Sequence, residues 1–176
     1  MILPLLLFVH LLAVALIFLA TGIEVAAFIF VRRATTVEQT RAALTPTPMV
    51  GPIIGPSAGV LILAGVGMVF AGGFGWQPWI VTGLLVAVAL SVNGPLTNGR
   101  RMERLYELAR AAPSGSITPD LEAARSDRFL TYSVGVLFTL MACMLYVMSN
   151  KPPAPVCLAA VAIALIVAAV PILAKR

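Results

Sequence analysis

From Ile2 to Val31 the chain is apolar except at His10, Thr21 and Glu24, and no other feature constrains its fold as tightly. A helix needs about 20 apolar residues to cross the hydrocarbon core of a bilayer, and this run is longer. Four further apolar runs follow, so the pattern predicts spans over residues 2–31, 52–71, 76–97, 129–148 and 154–174. Hydrocarbon offers no water to the backbone, so each run must close its hydrogen bonds within itself, as a helix. Only 11% of the residues are charged, about half the share of an ordinary soluble domain. The expected fold class is all-α: a polytopic transmembrane helical bundle of five spans, one domain over residues 1–176.

Arg32 and Arg33 follow the first run and only Met1 precedes it. A secretory leader has the opposite charge order and a small-residue cleavage site, so the run reads as an uncleaved first helix that must tilt or protrude. Gly72-Gly73-Phe74-Gly75 and Ser149-Asn150-Lys151-Pro152-Pro153 read as tight turns, and Asn93-Gly94-Pro95 as the end of the third apolar run. A polar segment, Ala34 to Thr47, links the first two runs. The stretch 98–128 is expected to be a cytoplasmic helical loop. Within it Met102, Leu105, Tyr106 and Ala109 share one face at helical spacing, and Pro113-Ser114-Gly115-Ser116 breaks the helix. Thr118 then has the features of an N-cap, with Pro119 in the first helical position and Asp120 and Glu122 in the first turn. This second helix is expected to run on into the fourth span.

Lysine and arginine are retained on the cytoplasmic side of membrane proteins. With the N-terminus outside and the C-terminus cytoplasmic, the inner side receives Arg32, Arg33, Arg41, Arg100, Arg101, Arg104, Arg110, Arg125, Arg128, Lys175 and Arg176. The outer side receives Lys151 alone, with Trp76 and Trp79 at the outer interface. The expected location is a bacterial cytoplasmic membrane, with lipids as partners and a second copy or another membrane protein as a further partner. The net charge of +5 is topological and does not form a nucleic-acid footprint, which needs a basic face on a soluble fold.

Ionisable groups inside a bilayer are costly and mark functional positions. His10 and Glu24 share a helix face with Ile17 and Thr21. A functional reading makes His10 a ligand and Glu24 a proton or cation carrier; a structural one gives His10 a hydrogen-bonding neighbour and places Glu24 by Arg32 or Arg33. Met141, Met144 and Met148 lie on one face of the fourth span, with Met68, Cys143 and Cys157 at similar depth. Thioether, thiolate and imidazole together suit copper, and a histidine–methionine pair suits haem iron; as packing residues the methionines simply fill gaps. Glycine recurs at every fourth position over Gly51, Gly55 and Gly59, beside Pro52 and Pro56. That segment is either a broken helix or a late helix start followed by close packing. Ser91, Asn93 and Asn98, near the inner end of the third span, are polar residues that face either a cavity or a neighbouring backbone. No serine–histidine–acid set, intramembrane carboxylate pair or phosphate-binding glycine loop is present, so an enzyme acting through its own side chains is not expected.

Three stretches carry a resemblance: Phe8-Val9-His10-Leu11-Leu12-Ala13, Pro56-Ser57-Ala58-Gly59, and Trp79-Ile80 leading to Gly94-Pro95-Leu96 and Arg100-Arg101-Met102-Glu103-Arg104-Leu105. Together they resemble a family of small bacterial predicted integral membrane proteins of unknown function. That family is distantly similar to the membrane domain of copper-resistance D proteins and to membrane-bound protoporphyrinogen oxidases. The resemblance implies a haem held through a first-helix histidine, and His10 is the position that carries over. This is the chain's one histidine, so a single copy offers iron a His/Met pair or five-coordinate ligation.

Two readings follow. In the first, the bundle binds haem or copper near its outer side, through His10 with Met144 and Met148 for haem, or with Cys143, Cys157 and Met68 for copper. In the second, a small-solute or ion transporter or channel subunit uses Thr21, Glu24, Ser57 and Asn93 along a path by a Gly/Pro-broken second span. An accessory, purely structural role is a third. The topology itself is testable: with Cys143 and Cys157 replaced by alanine, Ser114→Cys should resist an impermeant maleimide in intact cells and react after permeabilisation.

Overall fold

The computed structural model describes residues 2–173, apart from the side chains of Asn93 and of residues 171–173. The C-terminal end of the fifth predicted span and the Lys175 and Arg176 charges lie outside the described residues. All regular structure described is helical: α1 (Ile2–Arg33), α2 (Val37–Leu44), α3 (Val50–Gly72), α4 (Pro78–Gly94), α5 (Arg100–Ala111), α6 (Pro119–Arg125), α7 (Arg128–Asn150) and α8 (Ala154–Leu173). Four helical stretches are long and apolar enough to cross a membrane: α1, α2–α3, α4–α5 and α6–α7. The apolar stretch of α8, Ala154–Val170, is shorter. Large apolar side chains such as Phe70, Leu63, Leu158 and Ile166 stand exposed on the outside of the bundle, the inverse of a water-soluble surface. The chain has the make-up of a multi-pass membrane protein.

The helices form two layers, with α1 against α3 in one and α4, α7 and α8 in the other. The close crossing of α7 and α8 rests on small residues. A side chain at Gly135 would meet the Ala168 backbone at 3.2 Å, and Thr139 Oγ1 donates to the Ala164 carbonyl at 2.9 Å. Both let the two backbones approach, which is where dispersion and interhelical hydrogen bonds act in the absence of a hydrophobic driving force.

At one end a cap with its own core joins the layers. α1 is about 48 Å long at 1.5 Å per residue, well beyond the ~30 Å core, and its last turns pack in the cap. Phe28 and Val31 pack there with Val37 and Leu44 of α2, Met102, Leu105 and Ala109 of α5, Leu121 of α6, and Leu130 and Val134 of α7. The predicted face of α5 is thus buried, with Tyr106 half-buried. Arg125 donates to the carbonyls of Val31 and Ala34, satisfying the C-terminus of α1, while Arg32 donates to the Arg125 carbonyl at 3.0 Å. Arg125 also holds Glu122 in an ion pair, and this hydrogen-bonded guanidinium keeps the Glu122 carboxyl below its usual pKa.

Several local expectations are corrected. The polar linker after Arg33 adds a helix: Thr36 Oγ1 accepts from Gln39 N and caps α2, a Thr-x-x-Gln signal present in the sequence. The apolar run ends at Asn93-Gly94-Pro95, but the helical rod does not. Residues Pro95–Gly99 form a π turn that carries the rod into α5; the wider turn accommodates a proline that has no amide to donate. Thr118 caps α6 as expected, but α6 does not continue into the fourth span. The Asp127 carboxylate accepts from Phe129 N and Leu130 N and starts α7 afresh. α3 is not broken, since it runs unbroken through Pro56. Its Gly51, Gly55 and Gly59 have nothing within 4 Å of where a Cβ would stand, so the small-residue ridge is not a packing seam; Gly51 and Gly55 border an open space between the helices.

Gly135→Leu should therefore destabilise the protein in detergent by about 1–3 kcal/mol, the cost of overpacking. Gly55→Leu should leave the midpoint of thermal unfolding unchanged or slightly raised, because leucine is the better helix former.

Candidate functional site

Between the layers lies a cavity of about 1110 Å³, bounded by α1 and α3 on one side and by α4, its π turn and α7 on the other. It runs from Trp76, Trp79 and Lys151 at the end away from the cap to Asn98 and Tyr106 at the cap. Its wall is mostly aliphatic. The predicted α1 stripe lies along it: His10, Ile17, Thr21 and Glu24 all face the space.

His10 bonds with its Nδ1 to the Leu61 carbonyl of α3 at 3.0 Å. A carbonyl only accepts, so Nδ1 carries the proton and Nε2 is left as an acceptor. The ring lies against Gly65, one turn along α3 from Leu61, where a Cβ would make a van der Waals contact with the imidazole at 3.4 Å. The sequence contained both partners without marking them as a pair.

Glu24 is 6% exposed and Thr21 2%. Neither has a hydrogen-bond or ion-pair partner among the described residues, and Thr21 Oγ1 is fully buried. The expected neighbour does not reach Glu24: Arg32 turns to the Arg125 carbonyl and to Thr131. Opposite, the π turn brings Asn98 to the wall, 3% exposed. Its Nδ2 donates to the Ser133 carbonyl at 3.4 Å, which leaves Oδ1 buried and unpartnered. Asn98 was legible as a polar residue near the inner end of its span; its place opposite Glu24's helix was not.

The sulfur residues divide. Met68, Met141, Met144 and Met148 line the cavity that His10 lines. Cys143 and Cys157 do not; they are buried with Val86, Leu140 and Val147 between α4, α7 and α8, and Cys157 Sγ donates to the Pro152 carbonyl. Ser57 is buried on α3 away from the cavity wall. The Asn93 side chain lies outside the described residues. Among the described residues no three His, Cys, Asp or Glu side chains come together as a metal site. Ser91 lines the cavity but returns its hydroxyl to the Ala87 carbonyl at 2.7 Å.

No family model, curated protein or solved structure matches the chain, so the geometry of the cavity carries the functional argument alone.

His10→Gln keeps a donor of similar reach and should be tolerated in thermal unfolding. His10→Leu strands the polar contact and should cost about 1–3 kcal/mol. Gly65→Val should resemble His10→Leu, because its side chain occupies the slot of the ring.

Proposed function

We propose that this chain is a five-span protein of a bacterial cytoplasmic membrane, N-terminus outside, that binds an amphiphilic molecule in its interlayer cavity as the loading step of transport. Charge placement supports the orientation: the arginines of α1's end, α2, α5 and α6 gather at the cap, and Lys151 stands at the opposite end over Trp79, 5.5 Å from the ring centre. The apolar character of α8 supports the fifth span. The observation that carries the reading of the cavity is Glu24, a carboxyl buried on the wall of a ~1110 Å³ space with no partner. Packing alone gives no reason to keep such a group, because an uncompensated buried polar group costs about 2–7 kcal/mol. A pocket of this size with few polar groups is what a bulky apolar ligand requires.

Calorimetric titration of the protein in nanodiscs tests this, with adamantan-1-ol as an apolar probe and empty nanodiscs as the reference. Binding is expected in the unmodified protein. Ala58→Trp and Ala87→Trp, which fill the cavity from its two sides, should each weaken it about tenfold or more, the loss of ~1.4 kcal/mol or more. Unchanged affinity in both variants would place the probe elsewhere and remove the reading.

A second reading, ligation of haem at His10, is favoured by one feature: Nδ1–H bonded to a backbone carbonyl holds the imidazole with Nε2 free, the arrangement found behind metal-bound histidines. Met144 or Met148 would supply a thioether from the facing wall, and bound haem would supply electron transfer. A copper set that includes Cys143 and Cys157 fits poorly, because both sit off the wall. Haem added to the purified protein would give a Soret shift that His10→Gln abolishes.

A further inference from the structure

Three polar side chains at the cap end of the cavity are each more than nine-tenths buried: Thr21 at 2%, Glu24 at 6% and Asn98 at 3% exposure. All three line the cavity. What they leave open is oxygen. Thr21 Oγ1 and Asn98 Oδ1 have no hydrogen-bond partner, and Glu24 has neither hydrogen bond nor ion pair among the described residues. The Asn98 amide is held in this sense by the Ser133 carbonyl, which accepts from Nδ2 and would repel Oδ1.

The three also share a depth. Thr21 and Glu24 are one turn apart on the same face of α1. Glu24 lies one turn outward from Phe28, and Phe28 packs in the core that contains Leu130 and Val134 of α7. Asn98 reaches the carbonyl of Ser133, the residue next to Val134. Arg100 and Glu103 also line the cavity at this end, and both are exposed; three further arginines are held elsewhere. Arg32 bonds the Arg125 carbonyl, Arg125 bonds the end of α1 and Glu122, and Arg101 pairs with Asp127.

We propose that Thr21, Glu24 and Asn98 form a cation subsite that seats the ammonium group of an amphiphile whose apolar body fills the rest of the cavity. The proposal rests on the reading of the cavity as a ligand site and adds the chemical class of the ligand. A primary ammonium carries three N–H donors and no acceptor, which matches a hydroxyl, a carboxylate and an amide oxygen. Its charge compensates a carboxylate that hydrocarbon otherwise penalises. An anionic head would face oxygens that accept and would be repelled by Glu24. A neutral alcohol would bond the site without balancing its charge. The aliphatic wall beyond Ile17 then takes the body of the molecule, with area burial contributing to affinity but little to the choice of head group.

The test compares adamantan-1-ylammonium with adamantan-1-ol, which share one apolar cage, on the full chain in nanodiscs against empty nanodiscs. The unmodified protein should bind the ammonium about tenfold or more tighter than the alcohol, as expected of hydrogen bonds to charged groups. Glu24→Gln should bring the two affinities together by weakening the ammonium while leaving the alcohol within about twofold. Equal affinities in the unmodified protein, or a preference that survives Glu24→Gln, would overturn the subsite and leave the cavity reading standing. Binding of neither probe would overturn both. Should Glu24→Gln not yield folded protein, the near-isosteric Thr21→Val decides: a roughly fivefold loss for the ammonium alone supports the subsite, and no loss overturns it.

Discussion

The reciprocal latch between Arg32 and Arg125 is the contact on which the two-layer arrangement depends. Arg125 satisfies the carbonyls that end α1, and its own carbonyl is in turn satisfied by Arg32. A helix end buried without partners is costly, so α1 is tied to the segment that leads into α7. The small core beneath, from Phe28 to Val134, makes this joint rigid. Away from the cap the layers meet through the turn between α3 and α4, where Phe70 stacks edge-to-face on Trp76. Joined in this way near their ends, the layers leave the intervening volume to a cavity.

The cavity follows from the same economy of contacts. α1 is committed to α3 through His10 and the slot at Gly65, and α7 is committed to α8 through Gly135 and Thr139. Each pairing uses small residues on one side, which draws the backbones together within a layer. Between the layers small residues also face the cavity, Gly51, Gly55 and Ala58 from α3 and Ala87 from α4, but Gly51 and Gly55 have nothing within 4 Å and draw no backbone close. The buried polar groups on this wall, Thr21, Glu24 and Asn98, are for that reason left with oxygens that gain no partner from the fold.

Parts of the site were legible from spacing. His10, Ile17, Thr21 and Glu24 fall on one stripe by helical geometry, and the structure turns that stripe inward. The methionine face of α7 was legible in the same way. Proximity in depth misled for sulfur: Cys143 sits between Met141 and Met144 in sequence but off the cavity wall, buried with residues of α4 and α8. The glycine ridge of α3 misled too, because spacing shows that one face is small without showing what lies against it.

What the sequence by itself determined is whatever water or hydrocarbon enforces along the chain. Long apolar runs force helices, arginine placement sorts the ends of those helices, and Thr118 and Pro119 announce the start of α6. In the cap, where one side of α5 meets water, Met102, Leu105 and Ala109 stood out as the buried face. Only the tertiary structure decided which faces of α3, α4 and α8 look inward, that Pro95 begins a π turn and not a stop, and that Asn98 meets the cavity that Glu24 lines. The physical reason is that these helices are apolar on every side. Lipid accepts the same side chains that a protein interior accepts, so hydropathy carries no contrast between the two. Inside from outside is then settled by shape, by which small residues find a neighbour, and by which polar atoms find none.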